Sequence, residues 1–328
     1  MSMLPSHFVR GAAVAAIACA TAVGCSTPTA PSTPAFTGRL DTPHENLPGR
    51  PFAVAVAPNG SIFVTQQDNQ RVTRVGPALD APRDHADVSV DPGDVLVTPD
   101  GATAIVSTFY GGKLHFLDAA TGAQTDSTII GPNAYRLALS ADAASVFVTT
   151  VNGQVYRVSI ATGEKADSVV LGGAIQGIAR RADGRLAVSA TNGTITLLDP
   201  ASLDTIRTRA VLGGAQDLVF SKDGTRLFIA QEGAGRVKVL DGQTLADVDD
   251  VYFDALGAVS PFGLALSPDG ATLLVASSDP AGVAAVRVSS LTAFHLEGFV
   301  GLGRRVAFAP DGRRAYVANE AGRLEVVR

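Results

Sequence analysis

The stretch Leu264-Ala265-Leu266-Ser267-Pro268-Asp269-Gly270 contains the pattern that decides the fold. Its first three residues form a short, continuous apolar run, which is typical of a strand that is buried on both faces. Pro268 presets the first angle of a tight turn, and Gly270 accepts the left-handed conformation at its end. The stretch therefore predicts a buried strand that leads through a turn into a second strand.

The same turn recurs along the chain with a nearly constant period. Six copies keep an Asn-Gly or Asp-Gly pair, and a seventh has Ala in place of Gly. The turns are Asn59-Gly60, Asp100-Gly101, Asp142-Ala143, Asp183-Gly184, Asp223-Gly224, Asp269-Gly270 and Asp311-Gly312. Successive gaps are 41, 42, 41, 40, 46 and 42 residues. A period of about 40–45 residues with strand-like filling is typical of a β-propeller blade.

Seven copies of this unit predict an all-β, seven-bladed β-propeller with four-stranded antiparallel blades. Each copy holds an apolar strand before the turn, a second strand after it, a polar connection and further strand-like segments. The C-terminal copy stops after its third strand, Arg323–Val327. A strand-like segment at 35–40 precedes the first copy. We expect this N-terminal strand to complete the last blade, because ring closure removes open sheet edges.

These repeats resemble the YVTN-type β-propeller family, which includes lactonase-like and quinoprotein-associated propellers. The resemblance rests on Leu-Ala-Leu-Ser-Pro-Asp-Gly at 264–270, Ala-Tyr-Val-Ala-Asn at 315–319 and Val-Lys-Val-Leu-Asp at 237–241. It covers nearly all of the mature chain. The resemblance implies the fold strongly and a function poorly, because the family contains binding proteins, enzymes and structural proteins.

The N-terminal part of the chain differs in composition from the repeats. Residues 1–24 combine a weakly basic start with an apolar, alanine-rich stretch that is too short for a mature membrane span, which predicts a signal peptide. The sequence Ala22-Val23-Gly24-Cys25 resembles a bacterial lipoprotein box, so we expect lipid attachment at Cys25. Residues 25–34 are rich in Pro, Thr and Ser and predict an extended tether to a propeller that spans 35–328.

One alternative for the N-terminus stays open: an ordinary signal peptide that is cut nearby, with Cys25 incidental. Cys25 is the only cysteine outside the apolar stretch, so it has no intrachain disulfide partner in the mature protein. This favours the lipoprotein interpretation. We therefore expect a membrane-anchored lipoprotein of a bacterial cell envelope, facing the periplasm or the exterior.

Composition and motifs argue against several functional classes. The formal net charge of −5 is the wrong sign for a nucleic-acid-binding surface, and the absence of Trp argues against the WD-repeat type of propeller. The sequence has no paired-cysteine zinc motif, no phosphate-binding loop and no nucleophile elbow, and its five histidines form no assignable acid–base cluster. We assign no catalytic residue, metal or cofactor, and we expect a monomeric protein; the missing catalytic signatures favour a binding role over an enzymatic one, and the enzymatic alternative stays open.

Propellers commonly place their sites at the mouth of the central axis, where the chain enters each inner strand. Six residues before each turn residue the sequence reads Ala53, Asp94, Arg136, Gly177, Asp217, Gly263 and Arg305. One residue earlier it reads Phe52, Gly93, Tyr135, Gln176, Gln216, Phe262 and Arg304. Charged and aromatic side chains that converge on a concave mouth suit a small polar ligand.

These two registers predict a ligand-binding site at the axial mouth. Its residues are Asp94, Arg136, Asp217 and Arg305, with Tyr135 and Phe262 as apolar walls. The ligand is expected to be anionic or zwitterionic, because two guanidinium groups offer bidentate donors. The alternative is structural: Asp and Arg on adjacent blades pair with each other and close the funnel.

The loops between second and third strands are expected to surround the same face, and they are rich in Asp, Glu and Asn. Their oxygens could serve a hard cation, as in the calcium-dependent lactonase-like propellers that the resemblance implies. Polar residues are the ordinary content of loops, so no metal is assigned. We expect a membrane-tethered, extracytoplasmic module that binds a small polar ligand or an envelope protein. The alternative is a lactonase-like hydrolase or lyase whose axial Arg and Asp residues polarise a cyclic ester.

Overall fold

The computed structural model describes residues 36–79, 84–253, 260–278 and 281–328. In these ranges the chain forms seven four-stranded sheets, and neighbouring strands in each sheet are antiparallel. The predicted seven-bladed, all-β propeller with four-stranded blades is therefore confirmed. The predicted signal peptide, the tether and Cys25 lie outside the described residues.

Each blade has four strands, numbered here along the chain. The inner strands are β2 (Pro51–Val56), β6 (Pro92–Val97), β10 (Ala134–Leu139), β14 (Ile175–Arg180), β18 (Leu218–Phe220), β22 (Pro261–Leu266) and β26 (Gly303–Phe308). The second strands are β3 (Ile62–Gln66), β7 (Thr103–Thr108), β11 (Ser145–Thr150), β15 (Leu186–Ala190), β19 (Arg226–Gln231), β23 (Thr272–Ser278) and β27 (Ala315–Asn319). The third strands are β4 (Arg71–Val75), β8 (Lys113–Asp118), β12 (Gln154–Ser159), β16 (Thr194–Leu198), β20 (Arg236–Asp241), β24 (Ala281–Arg287) and β28 (Arg323–Val327). The outer strands are β5 (Asp84–Asp87), β9 (Gln124–Ile129), β13 (Lys165–Val170), β17 (Thr205–Ala210), β21 (Asp247–Tyr252), β25 (Thr292–His295) and, in the last blade, β1 (Leu40–Asn46).

The inner strands form a closed ring. Each inner strand contacts the inner strand of the next blade, and β26 contacts β2 to complete the circle. The apolar cores lie between neighbouring blades, as where Tyr316 and Leu324 of the last blade pack with Ile62 and Val64 of the first. The inner strands are thus packed on both faces, which explains why their apolar residues run continuously instead of alternating.

The turns between inner and second strands keep their shape even where the glycine is lost. Gly60 closes the first turn with a backbone hydrogen bond of 2.8 Å and adopts φ +84°. In the third turn along the chain, where Ala143 replaces the glycine, the Asp142 carboxylate accepts hydrogen bonds from the amide of Ala144 (3.0 Å) and from Ser140 Oγ (2.5 Å). These bonds accompany a φ of +55° at Ala143, a conformation that glycine adopts at less cost.

The N-terminal strand completes the last blade, as predicted, but it lies later in the chain than the sequence indicates. The sequence places this strand at 35–40, whereas β1 spans Leu40–Asn46 and pairs antiparallel with β28. Pairing begins one residue before β1, where Arg39 and Arg328 exchange two backbone hydrogen bonds of 2.8 Å. Gly38 interrupts the extended backbone before this point with φ +68°, and β1 continues to Asn46 with a shift of register between Asp41 and Glu45.

Helical structure is nearly absent from the described residues. They contain one 3-10 turn, Glu232–Ala234, in the connection between β19 and β20. Within the same ranges, no helix has the length and apolar character needed to cross a membrane. The described chain is therefore built almost entirely from the seven sheets.

Candidate functional site

Irregular pairing at the start of the inner strands positions the first register of predicted site residues. The pairing of β6 with β7 and of β10 with β11 shifts register at this point. At these shifts, backbone amides of the inner strands donate hydrogen bonds to hydroxyl groups of the second strands. Asp94 N–H donates to Ser107 Oγ (3.0 Å), and Arg136 N–H donates to Thr149 Oγ1 (3.1 Å). Such bulges re-aim side chains, and here they bring Asp94 and Arg136 into contact at the axis.

Four charged side chains form what we term the axial ion network: Asp94, Arg136, Asp217 and Arg305. Arg136 lies between two carboxylates, with Nη1 2.9 Å from Asp94 Oδ1 and Nη2 3.1 Å from Asp217 Oδ1. Arg305 Nη1 lies 2.7 Å from Asp217 Oδ2. The exposed fractions of the four side chains range from 2% to 12%, so the network is nearly buried. Its two positive and two negative charges balance.

The carboxylates of the network also bind backbone of the following blade. Asp94 Oδ2 accepts a hydrogen bond from the amide of Leu137 (3.0 Å), and Asp217 Oδ2 accepts one from the amide of Leu264 (3.0 Å). Hydrogen bonds to an ionised acceptor are stronger than neutral ones. Each carboxylate therefore ties the entry of one inner strand to the entry of the next.

The pairing differs from the predicted alternative in which adjacent blades pair. Asp94 and Arg136 belong to adjacent blades, but Asp217 receives arginines from two blades away on either side. The intervening blades carry Gly177 and Gly263 at this register, so they place no side chain between the partners. A Cβ at Gly263 would overlap the backbone of the next blade, so glycine there also permits close approach of the inner strands.

Mutual pairing keeps Arg136 and Asp217 charged despite their burial. Burial disfavours the charged form of Arg136, but the carboxylates of Asp217 and Asp94 outweigh this effect and raise the pKa of Arg136. Burial also opposes ionisation of Asp217, but the charges of Arg136 and Arg305 outweigh it and lower the pKa of Asp217. Both groups are therefore ionised at neutral pH.

Next to the network, a cavity of about 340 Å³ opens at the axial mouth. Four aromatic rings belong to its lining: Phe52, Phe109, Tyr135 and Phe262. The ring centroids are 6.2 Å apart between Phe52 and Tyr135, 6.2 Å between Phe52 and Phe262, and 5.9 Å between Phe109 and Tyr135. The rings therefore form one continuous aromatic surface that reaches across several blades.

The aromatic surface lies against the axial ion network. Arg305 Cζ is 5.0 Å from the ring centroid of Phe262 and 6.0 Å from that of Tyr135. The four network residues do not themselves line the cavity. The rings thus separate the cavity from the network, and the network supports them from the interior.

Polar side chains complete the lining of the mouth: Arg50, Gln67, Asp91, Gln176, Gln216, Arg304 and Glu320. Arg304 Nε lies 2.7 Å from Glu320 Oε1, and Arg50 Nη2 lies 3.6 Å from the same oxygen. Gln176 makes no side-chain hydrogen bond with any residue that the structure describes. The mouth thus combines aromatic walls with amide and charged groups at their edge.

Asp91 differs from the other charged residues of the lining. Across the described ranges, no hydrogen bond or ion pair reaches its carboxylate. Burial is the main cause of a raised pKa at Asp91; the charge of Arg50 opposes the rise and the charge of Asp68 adds to it. The backbone of Asp91 adopts φ +62°, and its carbonyl accepts the amide of Phe109 (2.8 Å), which fixes the two residues side by side.

The structure brings all six predicted site residues to the axis but divides them into two groups. Tyr135 and Phe262 line the cavity, and the four charged residues bind one another in the ion network. Sequence reasoning missed Asp91 and Arg50. Both stand nine residues before the turn residue of their blade, so reading this third register would have revealed them. Sequence reasoning recorded the second register without selecting four further lining residues: Phe52, Gln176, Gln216 and Arg304.

Histidine and metal chemistry do not contribute to this site in the described part of the chain. The lining of the mouth contains no histidine there. His115 is buried in β8, where it bonds Gln124 Oε1 (2.7 Å) and Ser89 Oγ (3.1 Å), and burial lowers its pKa. Within the described ranges, no three or more His, Cys, Asp or Glu residues are grouped so that they could hold a metal ion.

Comparison with known proteins supports the fold. No protein-family model matches the chain, and no curated protein matches it. Among solved structures, the chain is similar to hydrazine synthase from Kuenenia stuttgartiensis, with 19% sequence identity and a TM-score of 0.71 over 88% of this chain and 97% of that one. At this level of identity the similarity shows a shared fold and nothing about activity. It agrees with the seven-bladed propeller that the sheets of this chain form.

Proposed function

We propose that this protein is a binding module that takes up a small molecule in its axial mouth. One observation carries the proposal: a cavity of about 340 Å³ opens on the axis, with four aromatic rings in its lining and amide and charged groups around them. Small-molecule sites commonly combine apolar and aromatic walls with a few polar groups that fix orientation. The ligand class is a compact or flat apolar body with polar groups at its edge.

In this proposal the ligand contacts the aromatic surface, and the axial ion network acts underneath it. The network joins inner strands of several blades and so holds Tyr135 and Phe262 in place before the ligand arrives. Such preorganisation favours binding, because less conformational freedom is lost on association. The network arginines contact the carboxylates of Asp94 and Asp217 through Nη atoms, whereas Nε of Arg136 and Nε of Arg305 are buried without a hydrogen-bond partner among the described residues.

Filling the cavity is expected to abolish ligand binding. Gln176→Trp adds a large side chain to the lining, so a bound ring would lose its space. We expect at least one compound from a set of small neutral, anionic and cationic ring compounds to bind the wild type, as measured by ligand-observed NMR. The same compound should bind Gln176→Trp at least about tenfold more weakly, a loss of ~1.4 kcal/mol.

A matched variant separates this effect from a general one. Gln243→Trp makes the same exchange on the opposite face, where Gln243 is exposed and follows the third strand of its blade. This variant should bind as the wild type does. Wild-type affinity in Gln176→Trp, or no binding by any compound in the set, would contradict the proposal.

The lactonase-like alternative has less support. It would require axial Arg and Asp residues to reach a cyclic ester, whereas the axial ion network pairs these residues with one another. The assignment of the repeats to the YVTN type rests on the motifs at 264–270, 315–319 and 237–241. Because that type includes binding proteins and enzymes alike, the geometry of the mouth is the better guide, and it favours binding.

We also propose that the protein is a lipoprotein of a bacterial cell envelope. The lipoprotein box at Ala22-Val23-Gly24-Cys25 and the Pro/Thr/Ser-rich stretch after it support this role. β28 starts close to Glu320, which lines the mouth, and runs away from it to Val327. β1 begins beside Val327, where Leu40 pairs with it. β1 thus begins at the end of the last blade away from the mouth.

Replacing the anchoring cysteine is expected to release the protein. In a bacterial host, Cys25→Ala should move most of the protein from the membrane fraction to the soluble fraction, because the acceptor of the lipid is lost. Labelled fatty acid should be incorporated into the wild type and into the neighbouring control, Ser26→Ala. Equal incorporation into Cys25→Ala would show that the lipid site is wrong.

A further inference from the structure

We infer, on the basis of the binding role proposed above, that the axial mouth binds a small organic cation. Asp91 is its counter-ion, and the aromatic rings Phe52, Phe109, Tyr135 and Phe262 form its walls. A positively charged ammonium with small apolar substituents has the chemistry that such a site recognises.

The charge balance of the lining points to a cation. Both lining arginines are already paired: Arg304 Nε lies 2.7 Å from Glu320, and Arg50 lies 3.6 Å from Glu320 and 3.5 Å from Asp68. In the part of the chain that the structure describes, Asp91 is the lining carboxylate that has no such partner. Counted with Asp68, which lies outside the lining, the mouth has two arginines and three carboxylates, so one negative charge, that of Asp91, has no ion-pair partner, although the charge of Arg50 still attracts it.

The aromatic rings point the same way. The face of an aromatic ring is negative and attracts a cation within about 6 Å of the ring centroid. The protein already uses this attraction, since Arg304 Cζ lies 4.6 Å and Arg305 Cζ lies 5.0 Å from the centroid of Phe262. No cation of the described residues lies over the rings of Phe52 or Phe109. These two rings have faces left for a ligand.

Backbone geometry places the counter-ion beside this free aromatic surface. The backbone carbonyl of Asp91 accepts a hydrogen bond from the amide of Phe109 (2.8 Å), so the carboxylate and the ring belong to two residues whose backbones are hydrogen-bonded. Partial burial disfavours the ionised carboxylate, which is consistent with its raised pKa. A cation bound next to Asp91 would reverse that penalty, because an opposite charge stabilises the ionised form.

The test compares molecules of one shape and different charge. The full-length chain is titrated with choline, with its neutral isostere 3,3-dimethylbutan-1-ol and with the anion 3,3-dimethylbutanoate, and dissociation constants are measured by NMR. We expect choline to bind at least about tenfold more tightly than either of the others, in line with a cation held by aromatic faces.

Two substitutions locate the charge. Asp91→Asn should weaken choline binding about tenfold or more and leave the neutral isostere unaffected. Asn tolerates the left-handed backbone of this position, so the thermal midpoint should stay unchanged. Asp87→Asn is the matched control: it removes the same charge from exposed Asp87 on the preceding strand β5, outside the lining, and should bind choline as the wild type does.

The outcomes distinguish this inference from the proposal on which it rests. If the neutral or anionic compound binds as tightly as choline and Gln176→Trp abolishes that binding, the cation inference is overturned and the binding role of the mouth stands. Undiminished choline binding in Asp91→Asn also overturns the inference. If none of the three compounds binds, the inference fails, and the wider set of ring compounds decides the proposed function.

Discussion

A chain that lacks residues 36–46 is expected to unfold at a much lower denaturant concentration than the intact propeller. The deletion removes β1 and exposes β28, whose residues Leu324, Val326 and Val327 are almost completely buried. It also removes the contact of Phe36 with Phe308, whose ring centroids are 5.1 Å apart. We expect a loss of roughly 5 kcal/mol or more, because re-exposing each buried aliphatic side chain costs about 1.5–3 kcal/mol.

The comparison that isolates β1 uses two truncated chains. One begins at residue 36 and keeps every contact of the closed ring, and the other begins at residue 47 and leaves the last blade with three strands. Urea unfolding followed by circular dichroism measures the two free energies of unfolding. Equal unfolding free energies for the two chains would show that the N-terminal strand does not hold the ring closed.

Asp217→Ala is expected to destabilise the protein by about 3–5 kcal/mol, the range for removing one partner of a buried ion pair. The Asp217 side chain is 2% exposed, and its oxygens hold Arg136 (3.1 Å), Arg305 (2.7 Å) and the amide of Leu264 (3.0 Å). Without this carboxylate, Arg136 keeps only Asp94 as an ion-pair partner, and Arg305 loses its partner. Urea unfolding measures the difference in free energy.

A turn aspartate of the same blade provides the control. Asp223 accepts hydrogen bonds from Ser221 and Thr225 at the surface, so Asp223→Ala should cost only about 1 kcal/mol. If both variants lose the same free energy, the buried network has no special role in stability. If Asp217→Ala retains wild-type stability and loses ligand binding, the network would act in recognition instead.

The pH dependence of stability gives a second readout of Asp217. Burial opposes its ionisation, but Arg136 and Arg305 outweigh burial, so its pKa in the folded protein lies below the unfolded value of about 3.9. The stabilisation is therefore fully present above the unfolded pKa and is lost as the pH falls through the folded pKa. The stability gap between wild type and Asp217→Ala should shrink below about pH 4.

Local sequence predicts the blades because each blade is a local unit. An apolar run, its tight turn and the next strand lie close together, so the recurring turns show how many blades form and where each begins. The bounds of β1 are not predictable in this way. Its partner β28 lies at the other end of the chain, and the point where β28 ends decides where β1 can start to pair.

The shared register of the site residues is also readable from sequence, but their contacts are not. Counting back from each turn places Asp94, Arg136, Asp217 and Arg305 at equivalent positions of four blades. Which of them pair depends on the distance across the axis and on the reach of an arginine. The glycines at 177 and 263 leave room for Asp217 to bind arginines from two blades away.

The sequence by itself thus determined the number of blades, the positions of their turns and the set of side chains that enter the axis. Only the tertiary structure decided that the charged side chains neutralise one another while the aromatic rings face an open cavity. It also decided that Asp91 stays unpaired among the described residues, since Arg50 and Arg304 lie closer to other carboxylates. The physical reason is that periodicity is set by local backbone preferences, whereas pairing and burial depend on distances between residues that only the closed ring brings together.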